Sequence, residues 1–277
     1  MKVGLLTDAP KHNLALMKIS SYHKARGDEI ITNEPLSGCD LTYGSWLFRR
    51  LYDTTYYGGP ACDPTLRING EISKQKPDYS LFNIDYSLGF TWEYCPRQCG
   101  FCVVPKQDNP KKHYSIWDIH DKRFNKICLL NNNTFSDPWW RETFEEIWDS
   151  NLIVHDENGY DLRLLDDEKA EALKRTQFEK GYVHFAWDFI GDEADVMRGL
   201  AIAKRYAVKA MIYVLIGYNT TREQDIYRCQ KIHQLGYDPY PMPYNGGTRQ
   251  DKDFKRFICL RYYRSYKKIS DAWREYK

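Results

Sequence analysis

Between residues 84 and 243, short apolar segments alternate with longer segments, most of which carry apolar residues at helical spacing. Each apolar segment is long enough for one buried strand. The six predicted strand segments are 84–92, 126–132, 152–155, 182–188, 209–217 and 238–243. Regular strand–helix alternation favours a parallel α/β sheet. Six units over about 160 residues predict an open, partial (βα)6 TIM-like barrel and not a closed eight-fold one.

A smaller α/β pattern precedes this region. The segment "KVGLLTD" predicts a buried strand, and "NLALMKISSYHKAR" predicts a helix that Gly27 ends. Further strands follow, and a loop rich in Gly, Pro and Asp then leads to Pro77. We therefore predict a small α/β domain over residues 1–78 and a barrel core over 79–248. A basic helical extension is predicted over 249–277.

Composition and cysteine usage limit the class of protein. Hydrophobic residues make up 42% of the 277 residues, which predicts a packed core. No apolar run approaches the roughly 18–20 residues of a membrane span, so no membrane partner is expected. Five of the eight cysteines are scattered singly, unlike the regular pattern of a secreted disulfide scaffold. A reduced, cytoplasmic protein is the prediction.

The other three cysteines lie close together in "CPRQCGFC", directly after the first core strand. Cys95, Cys99 and Cys102 have the spacing C-x3-C-x2-C. Thiolates at such spacing bind zinc or an iron–sulfur cluster. A structural zinc ion takes four ligands, whereas three ligands on a [4Fe–4S] cluster leave one iron open for a small molecule. Two classes of function follow: a cluster enzyme, or a zinc-stabilised nucleic-acid-binding module without redox chemistry. In the second class, Cys39, Cys62, Cys128 or His113 would complete the zinc site.

From about residue 80 to 242 the chain resembles the radical S-adenosylmethionine (SAM) superfamily. The resemblance rests on the cysteine spacing, on its place after the first core strand, and on the aromatic Phe101 before the last cysteine. It implies that Cys95, Cys99 and Cys102 hold a [4Fe–4S] cluster whose open iron binds SAM. Reductive cleavage of SAM would then give methionine and a 5′-deoxyadenosyl radical. An external donor of the flavodoxin or ferredoxin type would supply the electron, and the substrate is not revealed.

The resemblance also implies SAM contacts, and it names no catalytic side chain. The backbone at Phe101 would contact the adenine, and Gly217 after strand five would allow close backbone approach there. Where the superfamily often has Gly-Gly-Glu, after strand two, this chain has Asn131, Asn132 and Asn133, followed by Thr134. Their oxygens could accept from the SAM ammonium group. The alternative is that these residues only turn the chain.

Two charged residues complete the candidate SAM contacts. Asp188, after strand four, could bind the ribose hydroxyl groups; its alternative role is to cap the next helix. Arg163 could pair with the SAM carboxylate, because a guanidinium group matches a carboxylate fork. Its alternative is an ordinary ion pair at the surface.

The N-terminal region loosely resembles the Rossmann-like domains that precede the barrel in cobalamin-dependent radical SAM enzymes. It lacks the Asp-x-His-x-x-Gly motif that ligates cobalt in those domains. We therefore do not expect cobalamin to bind.

The C-terminal 249–277 segment is basic and aromatic. It contains ten Lys or Arg residues against four acidic ones, a net charge of +6. Basic charge interleaved with Tyr262, Tyr263, Tyr266 and Trp273 suits nucleic acid or a nucleotide. The alternative is a helix that packs its apolar face on the barrel and leaves its lysines in water. On that alternative the packed residues are Phe254, Ile258, Tyr262 and Ile269.

Overall fold

A computed structural model describes residues 1–32, 38–68, 70–155 and 158–276 of the chain. It divides into two compact units, Met1–Asn132 and Asn133–Lys277. Each unit mixes helices with parallel strands. The mixed α/β fold with parallel sheets is thus confirmed. None of the described helices is long and apolar enough to cross a membrane.

The first unit begins with a parallel four-stranded sheet. Its strands are β1 (Lys2–Thr7), β2 (Glu29–Thr32), β3 (Leu41–Ser45) and β4 (Tyr56–Gly58). The strand order is β2-β1-β3-β4, and all pairs are parallel. Helix α1 (Leu14–Ala25) connects β1 to β2, and a short helix α2 (Gly70–Ser73) follows the sheet. Asn13 caps α1 by accepting a hydrogen bond from Leu16 N at 3.1 Å, and Gly27 has the positive φ expected after a helix.

Two further parallel strands, β5 (Ser87–Gly89) and β6 (Lys126–Leu129), complete the first unit. A buried hydrophobic cluster joins them to α1. Its buried members are Met17, Tyr79, Tyr86, Leu88 and Cys128. Because this cluster draws on residues from both sides of position 78, the predicted domain boundary lies inside the first unit. The division into three functional parts stays a prediction.

The second unit continues the alternation. Its helices are α3 (Trp140–Asp149), α4 (Asp167–Arg175), α5 (Glu193–Arg205), α6 (Arg222–Gln234), α7 (Arg249–Cys259) and α8 (Ile269–Tyr276). Its strands are β7 (Ile153–Val154), β8 (Val183–Ala186), β9 (Ala210–Ile216) and β10 (Asp238–Pro243). Strands β8, β9 and β10 form a parallel sheet with β9 in the middle. Strand β10 is at the edge of this sheet, the position at which strands tolerate proline.

Local sequence signals account for several helix ends. Thr221 and Gln224 form the capping box that starts α6, as predicted. The predicted apolar face of α5 is buried at Val196, Leu200 and Ala203. Ala207 does not share that face, because it lies beyond the end of the helix with φ 53°.

The C-terminal segment is broken where one helix was predicted. Arg261 takes a left-handed conformation, φ 58°, and a short 3-10 turn separates α7 from α8. Phe254, Ile258 and Ile269 are buried as the packing alternative predicted. Tyr262 departs from it: the break turns this side chain outward, and 44% of it is exposed.

Candidate functional site

Cys95, Cys99 and Cys102 lie in the first unit, in a loop whose two ends are bonded to each other. Strand β5 leads to Trp92, which forms an antiparallel bridge with His113. Tyr114 N donates to Thr91 O at 2.9 Å beside that bridge. Residues 93–112 therefore form a loop whose first and last residues lie next to each other. We call this segment the cysteine loop.

Asn131 and Asn132 hold this loop from the end of β6. Asn131 is buried, and its Oδ1 accepts from the backbone N–H groups of Thr91 (2.9 Å) and Trp92 (3.0 Å). Its Nδ2 donates to Thr91 Oγ1 at 2.9 Å. Asn132 Nδ2 donates to Glu93 O. Both side chains thus fix the backbone that leads into the cysteines, and the SAM contact predicted for them stays a prediction.

The three loop cysteines are partly exposed. Cys102 N donates to Cys99 O at 3.0 Å, and Val104 N lies 3.4 Å from Cys102 Sγ, which accepts its hydrogen bond. Thiolates with backbone N–H donors nearby suit an iron–sulfur cluster. The described residues contain no group of three or more His, Cys, Asp or Glu side chains placed to share one metal ion. The assignment of Cys95, Cys99 and Cys102 as cluster ligands therefore rests on residue type, spacing and loop position. It does not rest on coordination geometry. Phe101 is partly exposed between them.

The scattered cysteines have different surroundings. Cys128 and Cys229 are fully buried, as expected of cysteines that act as small hydrophobic residues. Burial raises the pKa of the Cys229 thiol to about 12, so it stays protonated at neutral pH. Cys128 lies in the apolar cluster around Leu88 and is poorly placed to complete a zinc site.

Arg163 lies in the second unit, in a network of carboxylates. Its Nε donates to Asp161 Oδ1 at 2.7 Å, and its Nη1 donates to Asp192 Oδ2 at 2.6 Å. Asn133 Nδ2 donates to Asp161 Oδ2 at 3.1 Å. Burial by itself would lower the pKa of the Arg163 guanidinium, but the two carboxylates raise it above its ordinary value. Arg163 forms ion pairs, as its alternative role predicted, but its side chain is only 19% exposed and so these pairs are not at the surface. The SAM contacts of Arg163 and Asn133 stay predictions.

Asp188 follows β8 and is partly buried. Burial raises the pKa of its carboxyl group to about 6, although the positive charges of Arg163 and Arg228 oppose that shift. The helix-cap alternative is wrong, because α5 begins after Asp192 and the 3-10 turn before it begins after Phe189. A carboxyl group with a raised pKa that caps nothing remains a candidate ligand-binding group.

Arg228 was missed by the sequence reasoning. It is fully buried in α6 and donates to three backbone carbonyl oxygens: Trp187 O (2.8 Å), Asp188 O (2.9 Å) and Leu215 O (2.6 Å). It also donates to the buried Asp225 carboxylate at 2.7 Å. One guanidinium group thereby fixes the ends of β8 and β9, next to Asp188. The only sequence signal was the Asp225–Arg228 spacing of three residues on one helix face.

Gly217 follows β9 and has a positive φ of 73°. A Cβ atom there would lie 3.3 Å from Asp251 Oδ2. Asp251 accepts hydrogen bonds from Thr248 N and Oγ1, both at 2.8 Å, and it pairs with Arg222. The close approach that Gly217 allows is thus to the capping carboxylate of α7. Its predicted position near adenine stays a prediction.

Comparisons with known proteins bear on the fold. No protein-family model and no curated protein matches the sequence. Among solved structures, the radical SAM methyltransferase TsrM from Kitasatospora setae, with cobalamin and a [4Fe–4S] cluster bound, matches with a TM-score of 0.60 and 10% identity. The match covers 87% of this chain and 74% of TsrM. TsrM with tryptophan substrate and the SAM analogue aza-SAM matches equally well: TM-score 0.60, 10% identity, 88% and 72% coverage.

A further solved structure matches more weakly. Streptococcus suis SuiB bound to SAM gives a TM-score of 0.45 at 12% identity, over 67% of this chain and 49% of that one. At 10% identity, the TsrM match shows that this chain shares its fold.

The prediction that cobalamin does not bind is wrong in its reasoning. TsrM has the same fold along 87% of this chain, and its structure contains cobalamin together with the [4Fe–4S] cluster. A bulky ligand buries most of its surface in its pocket, so one axial ligand supplies a fraction of its contacts. The missing Asp-x-His-x-x-Gly motif therefore does not exclude cobalamin.

Proposed function

We propose that this chain is a radical SAM enzyme that binds a [4Fe–4S] cluster through Cys95, Cys99 and Cys102. It would cleave SAM reductively to a 5′-deoxyadenosyl radical and so modify a substrate that the chain does not reveal. One observation carries the proposal: three thiols at C-x3-C-x2-C spacing lie in a closed loop directly after a parallel strand. The fold shared with TsrM supports it. No observation favours the zinc-module alternative.

The donor set fits the proposed cluster. Three thiols with a backbone N–H directed at Cys102 Sγ are the ligand chemistry that iron–sulfur clusters use. When bound, the cluster supplies the electron that breaks the C5′–S bond of SAM. The part of the chain is to hold the thiolates, to orient SAM and to exclude water. We also propose that the parallel α/β fold of this chain is a partial (βα)6 barrel.

The proposed SAM contacts lie in both units. In the first unit they are the backbone at Phe101 and the side chains of Asn131 and Asn132. In the second unit Asp188 is the strongest candidate, because its carboxylate is ionised above pH 6 and can accept hydrogen bonds from ribose hydroxyl groups. Asn133, Arg163 and Gly217 complete the second-unit set.

Partners and location are proposed on the same basis. SAM and an external electron donor of the flavodoxin or ferredoxin type are required by the chemistry. The TsrM likeness supports cobalamin as a further candidate cofactor. A nucleic-acid or nucleotide substrate and a cytoplasmic location stay predictions.

The test is product formation after anaerobic reconstitution with iron and sulfide. With dithionite and SAM, we expect slow release of 5′-deoxyadenosine even without substrate, because the cofactor chemistry needs none. Cys99→Ala should abolish the product, and Cys259→Ala, at an exposed cysteine outside the loop, should not. Absence of 5′-deoxyadenosine from a wild-type protein with an intact cluster and bound SAM would contradict the proposal.

A further inference from the structure

The cysteine loop carries positive charge as well as thiols. Within residues 93–112 there are four basic residues and two acidic ones, Glu93 and Asp108. Glu93 already pairs with Arg67 at 2.5 Å, so Asp108 alone opposes the basic residues within the loop. The whole chain has a net charge of only +2. A loop of 20 residues thus has the same net charge, +2, as the entire chain of 277 residues.

Three ammonium groups of this loop face solvent. Lys106, Lys111 and Lys112 are exposed, and none of them pairs with a carboxylate in the described parts of the chain. Lys111 Nζ lies 4.5 Å from the ring centre of Tyr94, and Lys112 Nζ lies 5.0 Å from that of Tyr114. These contacts position the two ammonium groups without cancelling their charge.

The lysines are fastened to the same backbone as the cysteines. The Trp92–His113 bridge closes the loop directly after Lys112, and Asn109 Nδ2 donates to Val104 O at 3.3 Å. Arg67 additionally donates to Asn109 Oδ1. The backbone that carries the lysines is therefore held in the same closed loop as the thiols. An exposed lysine is ordinarily only solvated, but here three of them share one closed loop with the cysteines at the proposed point of electron entry.

We propose that Lys106, Lys111 and Lys112 form a docking surface for the acidic face of a flavodoxin-type electron donor. This inference rests on the proposed function. Redox partners meet through small interfaces, and complementary charge speeds and orients their encounter. In the docked complex the donor's anionic flavin hydroquinone would lose one electron and become the neutral semiquinone. A [4Fe–4S] cluster held by Cys95, Cys99 and Cys102 would accept that electron and pass from the 2+ to the 1+ state.

Nucleic acid is the competing occupant of a cationic surface. Binding of single strands needs aromatic faces on which bases can stack. Here Tyr94 and Tyr114 are partly buried, and the lysine ammonium groups lie over their rings. Since an ammonium group already lies over one face of each partly buried ring, the surface fits an acidic protein better than a stacked strand.

The test measures binding of oxidised bacterial flavodoxin to the reconstituted chain by calorimetry at 25, 75 and 200 mM NaCl. The variant is Lys106→Glu/Lys111→Glu/Lys112→Glu. The matched control, Lys204→Glu/Lys209→Glu/Lys267→Glu, changes the net charge equally at exposed positions of the second unit. We expect the loop variant to bind at least ~10-fold more weakly at low salt and to lose most of the salt dependence. The control should lose less than ~3-fold.

A second readout follows semiquinone formation in stopped flow, with dithionite reduction as reference. The loop variant should accept electrons slowly from flavodoxin hydroquinone and normally from dithionite. If the glutamate variant loses iron, the variant Lys106→Gln/Lys111→Gln/Lys112→Gln is measured in its place. Equal losses in the loop variant and the control would overturn the docking surface, and so would displacement of flavodoxin by a tighter-binding uridine oligomer. A wild-type chain without iron would instead overturn the proposed function.

Discussion

The ends of two sets of parallel strands are built in opposite ways. After β5, the chain forms a partly exposed loop whose thiols are held mainly by backbone turns and by Asn131. After β8 and β9, a fully buried Arg228 fixes three carbonyl oxygens and one carboxylate. The first arrangement leaves the three loop thiols partly exposed. The second buries its charged groups and fixes the backbone at Asp188.

The two arrangements also differ in energy. An exposed ion pair contributes about 0–1 kcal/mol to stability, whereas removing one member of a buried pair costs about 3–5 kcal/mol. Removing one member of a buried ion pair at the strand ends of the second unit should therefore strongly lower the free energy of unfolding. Substitutions in the cysteine loop should impair its chemistry and leave its fold nearly unchanged.

The largest effect is expected for Arg228→Met. This change leaves the Asp225 carboxylate buried with reduced compensation and removes the donor from three carbonyl oxygens. The free energy of unfolding, measured with urea, should fall by about 3–5 kcal/mol. Arg249→Met, at a side chain that is 96% exposed, is the control and should change it by less than about 0.5 kcal/mol. A loss below about 1 kcal/mol for Arg228→Met would remove the contrast between the two regions.

A pH-dependent effect is expected for Asp188→Asn. Because the folded pKa of Asp188 is about 6, above its ordinary value of 3.8, the folded state binds its proton more tightly than the unfolded state. Wild-type stability therefore falls as pH rises from about 4 to 6, and the variant escapes that loss. At pH 7.5 the variant should be more stable by up to about 3 kcal/mol, and at pH 3.5 the two should be equal. A stability difference that does not change with pH would contradict the burial of Asp188.

A smaller loss is expected for Asn131→Ala. The change leaves the buried N–H groups of Thr91 and Trp92 without their acceptor, which should lower the free energy of unfolding by about 1–3 kcal/mol. It should also weaken iron retention, since these residues lead into the cysteine loop. Asn132→Ala removes one hydrogen bond to Glu93 O from a less buried side chain and should cost less. A loss below about 0.5 kcal/mol for Asn131→Ala would show that Asn131 does not anchor the loop.

The sequence predicted the parts of the fold that depend on local pattern. Apolar segments marked the strands, and the Thr221–Gln224 spacing marked the start of α6. The break at Arg261 was missed because nothing in the local pattern opposes a continuous helix, and packing of Tyr263 and Trp273 decides the outcome. Arg228 was missed because an arginine on a helix ordinarily indicates an exposed face.

Site residues were harder to predict than strands. The spacing singled out the cysteines, but the partners of Arg163 and Asn131 depend on tertiary contacts that no spacing reveals. The cobalamin expectation failed for another reason. It treated the missing Asp-x-His-x-x-Gly motif as proof that the chain has no way to bind cobalamin.

The most direct test of the proposed function is metal analysis after anaerobic reconstitution. Wild-type protein should be brown, absorb broadly near ~410 nm and contain about four irons and four sulfides per chain. The variant Cys95→Ala/Cys99→Ala/Cys102→Ala should remain folded and contain almost no iron, whereas Cys259→Ala should match wild type. A colourless wild-type protein with stoichiometric zinc, or full iron content in the triple variant, would contradict the assignment of a [4Fe–4S] cluster to this loop.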